Sequence, residues 1–443
     1  MSKLRALCLC ASLLVFPLCI SAPSQRTDQL LSLTSAPNSS LFVNPWMQSA
    51  KLSGTSYPVY LGTSVAISAD TAVASSLYSD LNKYTGAAYV FVRPATGWSN
   101  TTQTAALTSS DGKNCDLLGT SVAISADTIA IGAPQNGCNP GGPGEVYVFV
   151  KPAGGWSGVQ TETAKLIASD GNAFDALGTS VSISGDTIVA GAPGTYPSST
   201  PGAAYVFVKP EGGWKSGYQT AKLTSSDGRA GNELGYSVSI SKDTVATGAP
   251  QAGVAYVFVK PTNGWKNATQ TAELSSSDGA FNGELGYSIS VDGQTVAAGA
   301  PYATVGPNQY QGDAYVFVEP SGGWRNMTET AKLTEGDGEA GDLLGSSIAT
   351  SGSLVVAGAA QYSRGPSLKK LGGPSFLVEG ATYLFIEPNG GWATASSTNK
   401  VTGSDARFGS YLGSSVAVRG DSFVAGAPRN GRYVGGAYIF QRP

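Results

Sequence analysis

The chain contains no histidine in 443 residues. That excludes the Ser-His-Asp and Cys-His nucleophile systems and every histidine-ligated zinc site. Charge is also scarce: charged residues make up 13% of the chain, and the formal net charge is −3. No basic stripe appears, so nucleic acid is not an expected partner. Of the five cysteines, Cys8, Cys10 and Cys19 sit in the N-terminal apolar run, which leaves Cys115 and Cys138. No stretch carries a sustained helical period with caps, so the chain is not read as helical. No carboxylate pair stands apart from the repeated acids, which disfavours acid–base catalysis.

What the chain has is glycine and repetition. With 58 glycines and 41% hydrophobic residues, it suits many short strands joined by tight turns. A Leu-Gly pair, with serine two residues on, recurs at Leu61, Leu118, Leu177, Leu234, Leu285, Leu344 and Leu412. Each copy holds four strand-like phrases. In the third copy they are LGTSVSIS (177–184), DTIVAGAP (186–193), AAYVFVKP (203–210) and QTAKLTSS (219–226).

In the third phrase, Tyr205 and Phe207 take one face while Val206 and Val208 take the other. Both faces are apolar, so the strand is expected to be covered on both sides. A sheet buried on both faces and repeated seven times fits a propeller blade between two neighbours. The fold class expected is all-β: a seven-bladed β-propeller of four-stranded antiparallel blades over 46–443. The Gly-Ala of Gly-Ala-Pro would let the next blade approach, and the proline would end the strand. Trp98, Trp156, Trp214, Trp265, Trp324 and Trp392 are expected to cover the blade edges. The orphan phrase WMQSAKLSG (46–54) matches the fourth phrase, and Leu412 opens a copy that stops after its third. The N-terminal strand is therefore expected to join the C-terminal blade and close the ring.

Lys3 and Arg5 precede an apolar run from Ala6 to Ile20. The run is too short to span a membrane, which takes ~20 residues. Residues 1–21 read as a signal peptide, with a lipid-modified Cys19 as the lesser alternative. Residues 22–45 read as a flexible linker. The protein is expected to be secreted or extracytoplasmic, at a cell surface or in a periplasm, with no transmembrane segment. In an exported chain the Cys115 and Cys138 pair suggests a disulfide, with two free thiols as the alternative.

The Leu-Gly-x-Ser anchors, the apolar runs into Gly-Ala-Pro and the Gly-x-x-Tyr before the third strand resemble the FG-GAP repeat family. That family includes the seven-bladed N-terminal β-propeller of integrin α subunits. The resemblance covers about 46–443, and its style is closest to secreted microbial repeat proteins. Many blades of the family carry an Asp-rich calcium loop between strands one and two. Here that connection is only SADT, SGDT, SKDT, VDGQT or RGDS, too few carboxylates for such a cage. No metal site and no cofactor are carried over.

Strand parity places the 4–1 and 2–3 connections on one face, and the 1–2 and 3–4 connections on the other. The 2–3 connection varies most, from a few residues in blade 4 to residues 361–380 in blade 6. Loops that vary in a repeat protein are where recognition is expected. Tyr362, Arg364, Lys369, Lys370 and Phe376 of the blade 6 insertion are the candidate ligand-binding residues; self-packing of the insertion is the competing reading. The aspartates of the 4–1 loops (Asp111, Asp170, Asp227, Asp278, Asp337 and Asp405, some with a second acid at Asp116, Asp175 or Asp342) read as Asp-Gly turns, ahead of a calcium or sugar role. The Arg-Gly-Asp at 419–421 reads as chance within a tight hairpin. Asn100, Asn267 and Asn326 begin possible N-glycosylation triplets if the host glycosylates, and are otherwise polar turn residues.

The function expected is a non-enzymatic, monomeric binding or adhesion module for an extracellular protein or glycan. A structural surface repeat protein is the alternative. A carboxylate-based polysaccharide lyase or hydrolase ranks third.

Overall fold

The computed structural model describes residues 46–54, 60–77, 85–137, 141–195, 200–279, 283–361, 379–397, 399–405 and 409–442. They form seven sheets, the blades of an all-β seven-bladed propeller, each with an antiparallel run of four strands. First strands begin at Val65, Ser121, Ser180, Ser237, Ser288, Leu344 and Ser415.

Blade 3 shows the pattern. Its strands are Ser180–Ser184, Thr187–Ala192, Ala203–Val208 and Ala221–Thr224. They pair in sequence order through Val189↔Val206 and Tyr205↔Lys222. Tyr205 and Phe207 pack toward blade 2, in one cluster with Val148 and Leu166. Val206 packs toward blade 4, in a cluster with Val238 and Tyr256. Each fully buried aromatic of this kind stabilises by roughly 1.5–3 kcal/mol.

Gly-Ala-Pro follows from the same geometry. A Cβ on Gly191 would lie 1.8 Å from the carbonyl oxygen of Gly235 in the next blade. The same contact recurs from Gly132 to Gly178, Gly248 to Gly286, Gly299 to Gly345, Gly358 to Gly413 and Gly426 to Gly62. The serine of Leu-Gly-x-Ser completes the layer. Ser180 Oγ donates to the Gly235 carbonyl at 2.8 Å, and Ser415 Oγ to that of Gly62 at 3.0 Å. The motif is an inter-blade stitch, so it must repeat.

The N-terminal strand Met47–Ser53 pairs antiparallel with Ala437–Gln441, through Ala50↔Ile439 and Leu52↔Ala437. It stands as the fourth strand of blade 7.

Among the described residues, six sheets have five strands rather than the expected four. The fifth is a short strap from the next blade's 3–4 connection, and it runs parallel to the fourth strand. Ala268–Thr269, for example, pairs with Leu223 and Thr224 of blade 3. The tryptophan ahead of each strap is buried between blades; Trp214 lies in the cluster shared by blades 2 and 3. Blade 6 has four described strands. Its strap would follow Trp46, but Leu52 comes six positions after that tryptophan, whereas Leu274 comes nine after Trp265.

Candidate functional site

The loops fall on two faces. Gly202, ahead of the third strand of blade 3, bridges Leu234, ahead of the first strand of blade 4; Gly144 with Leu177 and Gly312 with Leu344 repeat the contact. At six of the seven blade junctions among the described residues, the 2–3 loop of one blade is thereby laid against the 4–1 loop of the next. On the other face, the residue after the third strand donates its N–H to the 1–2 turn: Lys209 to the Asp186 carbonyl at 2.8 Å, and Glu319 to that of Gln294 at 2.8 Å.

The 1–2 face holds a cavity of about 720 Å³ at the mouth of the central channel. Its rim carries Ser68, Ser125, Ser184, Ser241, Asp292, Ser351 and Arg419 at equivalent positions. These groups are largely used within the fold. Lys242 N–H donates to Ser184 Oγ at 3.1 Å, and Gly352 N–H to the Asp292 carboxylate at 2.7 Å. Arg419–Gly420–Asp421 occupies the blade 7 copy of this turn, with Gly420 at φ 55°.

The 4–1 aspartates correct the sequence reading. Their carboxylates are held mainly by side chains rather than by turn amides. Tyr205 donates to Asp170 Oδ1 at 3.0 Å, and Lys222 Nζ to Oδ2 at 2.6 Å. Lys222 also sits 5.3 Å from the Tyr205 ring centre. Burial pushes the Asp170 carboxyl up, but the hydrogen bonds from Lys222 and Tyr205 outweigh it and hold it below the ordinary range. Burial, set against the Lys222 charge, takes the Tyr205 phenol up to about 12. Asp278, Asp337 and Asp405 repeat the arrangement with Tyr315, Tyr383 and Tyr438. Asp227 has the tyrosine without the lysine, because Glu273 stands there. The second acids do cap turns: Asp175 accepts from Asn172 N–H at 2.8 Å, and Asp342 from Glu339 N–H at 2.7 Å.

The triplet asparagines also have a structural partner. Asn267 Oδ1 accepts Lys222 N–H at 2.8 Å and Asn326 Oδ1 accepts Glu273 N–H at 2.9 Å, while Asn100 does the same for Lys51 at 2.8 Å. Each asparagine stands beside a strap and ties it to the previous blade, with its side chain exposed.

Tyr362, Arg364, Lys369, Lys370 and Phe376 lie outside the described residues, as does Cys138.

On the 4–1/2–3 face, the departure from the repeat is at blades 4 and 5. The residue before each Leu-Gly takes a left-handed φ in all seven blades: Tyr60, Leu117, Ala176, Glu233, Glu284, Leu343 and Tyr411, at 56° to 67°. This turn aims the following leucine N–H at the neighbouring 2–3 loop, as from Leu234 to the Pro201 carbonyl at 3.0 Å. Acids occupy that position only in Glu233 and Glu284, and tyrosine fills the x of Leu-Gly-x-Ser only in Tyr236 and Tyr287.

The four residues form one cluster with the blade 5 loop. Ring centres are 5.0 Å apart for Tyr236 and Tyr287, 6.0 Å for Tyr287 and Tyr302, and 5.9 Å for Tyr302 and Tyr310. The first three rings are half-buried, and Tyr310 is 46% exposed. Burial pushes the Glu233 carboxyl up, and the charge of Glu284 adds to it. Burial also pushes Glu284 up, against a hydrogen bond from Gln251 in the blade 4 loop. Sequence reasoning missed this site, although the two tyrosines among threonines and serines were the signal.

Among the described residues, no helix is long and apolar enough to cross a membrane. No curated protein matches the chain. The sequence profile of the FG-GAP repeat matches residues 46–91, 101–149, 160–207, 218–258, 268–317, 327–373 and 396–440. Six of those stretches, such as 160–207, take in the fourth strand of one blade and the three inner strands of the next, so the sequence repeat is offset from the blade by one strand. Seven matches over most of the length, on a seven-bladed propeller stitched by the motif's own glycines and serines, place this chain in the FG-GAP repeat family.

Proposed function

We propose that the protein is an exported, non-enzymatic, monomeric binding module that recognises an extracellular protein or glycan through its 4–1/2–3 face. The observation that carries this reading is the uneven distribution of sequence change. The inter-blade layer and the 1–2 turns recur, while residues 361–380 and the Tyr/Glu cluster depart from the repeat on one face. Export rests on the leader at 1–21. The triplets at Asn100, Asn267 and Asn326 would carry glycans at the strap edge, clear of the binding face.

The test is a screen of the purified chain against glycans and surface proteins. A variant is screened alongside it, with residues 361–380 replaced by the short turn of blade 4. Saturable binding of one ligand class that falls in the variant, with unchanged melting, is the expected result. Binding indifferent to every substitution on this face, or turnover of a polymer, would overturn the reading.

The Cys115–Cys138 disulfide belongs to the same proposal, as a staple on that face. Cys115 is buried, and a Cβ on Gly137 would lie 3.0 Å from the Cys115 carbonyl oxygen, so the two loops run side by side. The ~23-residue loop would contribute about 3 kcal/mol by chain entropy. Peptide mapping without reduction checks it: free alkylation of both thiols in protein exported under oxidising conditions removes the staple.

A further inference from the structure

Two aromatic clusters on the loop face differ in how charge is supplied to them. At the meeting of blades 7 and 1, the Arg429 guanidinium lies 4.9 Å from the Tyr411 ring centre and 6.0 Å from that of Tyr60. There the protein's own cation fills the aromatic pair. At blades 4 and 5 the rings of Tyr236, Tyr287 and Tyr302 are joined by two carboxylates instead. No described lysine or arginine lowers either carboxyl.

We propose that Tyr236, Tyr287 and Tyr302, with Glu233 and Glu284, bind a quaternary ammonium group. The inference rests on the reading of this face as the recognition surface, and names a ligand chemistry for it. A cation over tyrosine faces gains from the ring quadrupole, by more when the site is partly desolvated. The rings are tilted and edge-on to one another, at 5.0 and 6.0 Å between centres, so the cluster presents both ring faces and ring edges. Burial raises the cost of charge on Glu233 and Glu284, and the Glu284 charge adds to it at Glu233; an arriving cation relieves both.

The kind of cation follows from the acceptors. A lysine ammonium brings three N–H donors and tightly held water, and a guanidinium needs in-plane, paired acceptors. Here Glu284 already accepts from Gln251, and ring faces outnumber free acceptors. A quaternary ammonium has no N–H to satisfy and sheds its water at low cost.

Calorimetric titration of the full chain with choline chloride tests this, with 3,3-dimethyl-1-butanol as the uncharged isostere and methylammonium as the N–H-bearing cation. Choline should bind saturably and at least about tenfold more tightly than either control. Glu284→Gln and Tyr287→Leu should each weaken choline by about tenfold or more, with melting close to the parent. If Tyr287→Leu unfolds, Glu233→Gln and Glu284→Gln together serve the same purpose. Equal binding of the isostere, unchanged binding by a folded variant, or no saturation below ~100 mM choline would overturn the inference. If choline fails while a protein or glycan ligand is still lost on replacing residues 361–380, this inference falls and the wider reading stands. If no substitution on this face alters any binding, the wider reading falls.

Discussion

The layer between blades and the loop face above it obey different rules. Between blades, each contact is made by a residue type the geometry demands: a glycine where a carbonyl approaches, a serine that donates to it, and apolar side chains on both sheet faces. On the loop face, the backbone turn is as constant, with left-handed φ before every Leu-Gly, but the side chain borne there runs from Ala176 to Tyr411 to Glu284. The fold fixes where that side chain stands and leaves its chemistry open. Constancy therefore marks what holds the ring, and change marks what it presents.

The first way to break this comparison is at the seam, where the layer must continue although the chain does not. Ala50 and Leu52 are fully buried in the cluster that joins blades 7 and 1. Deleting residues 46–54 would bare the edge of Ala437–Gln441 and the apolar flank of blade 1. An unpaired hydrophobic edge invites aggregation, so the truncated chain should aggregate or lose cooperative unfolding. Gel filtration and thermal melting decide it, and a truncated monomer that melts like the parent would show that the seam is not held by this strand.

A pair of glycines sharpens the contrast at single-residue scale. In Gly248→Ala the new methyl would sit 1.8 Å from a backbone carbonyl oxygen, which cannot be relieved by a rotamer change. We expect a loss of at least about 3 kcal/mol, as for overpacking against rigid backbone. Gly293, in a 1–2 turn, has φ 57° but no atom within 4 Å of a new Cβ. Gly293→Ala should cost only about 1 kcal/mol, the strain of a left-handed alanine. Denaturant melts of the two variants should separate clearly, and similar costs would mean that the blades can part to admit a methyl group.

These layers differ in how far the sequence revealed them. Gly-Ala-Pro was legible because its reason is local crowding, which recurs at the glycine in six of the seven blades, blade 1 carrying Ser75 there. The straps were not: two residues such as Ala268–Thr269 carry no apolar alternation, and an Asn-x-Thr beside them reads equally as a glycosylation triplet. The 4–1 aspartates were misread because Asp170 meets Lys222 across 52 residues of chain, a contact that only the folded blade creates. The Tyr/Glu cluster was half legible. Its positions break the repeat visibly, but Tyr302 joins it from a loop whose course no pattern predicts.

Blade 5 allows the comparison to be tested with pH. Asp313 is fully buried and shares Lys332 with Asp278, with Nζ–O distances of 2.8 and 2.7 Å. Burial outweighs the shared lysine, and the carboxyl is pushed up to about 7. In the unfolded chain it would titrate near ~3.9. Its folded value is thus raised, so its stabilising contribution is complete below about pH 4 and is lost as pH rises through about 7. Asp313→Asn should therefore stabilise by about 1–3 kcal/mol at pH 8, with the gain shrinking toward pH 4. Most other blades carry alanine, valine or glycine here, and blade 2 carries Glu145, whose side chain keeps 14% exposure, so Asp313 is the fully buried departure from the repeat. Stability measured against pH for both proteins checks this, and a gain that grows toward acid would reverse the sign of the argument.

The smallest effect expected concerns the 1–2 face, where constancy could be credited to an ion pair. Lys260 Nζ lies 3.2 Å from Asp243, and Lys151 lies 3.5 Å from Asp127. Both acids are well exposed, and such pairs contribute ~0–1 kcal/mol. The backbone bond between the same residues recurs where no such pair is possible: Glu319 N–H still donates to the Gln294 carbonyl and Glu387 N–H to that of Ser353, each at 2.8 Å. The turn is held by its main chain, and the charges decorate it. Asp243→Ala should therefore change stability by less than about 0.5 kcal/mol, because the Lys260 N–H to residue 243 carbonyl bond survives the substitution. Raising the salt concentration should leave the difference between variant and parent unaltered. A loss above about 1 kcal/mol that vanishes in salt would move the side chain from ornament to support, and would place a charge-dependent contact in the layer assigned here to backbone geometry alone.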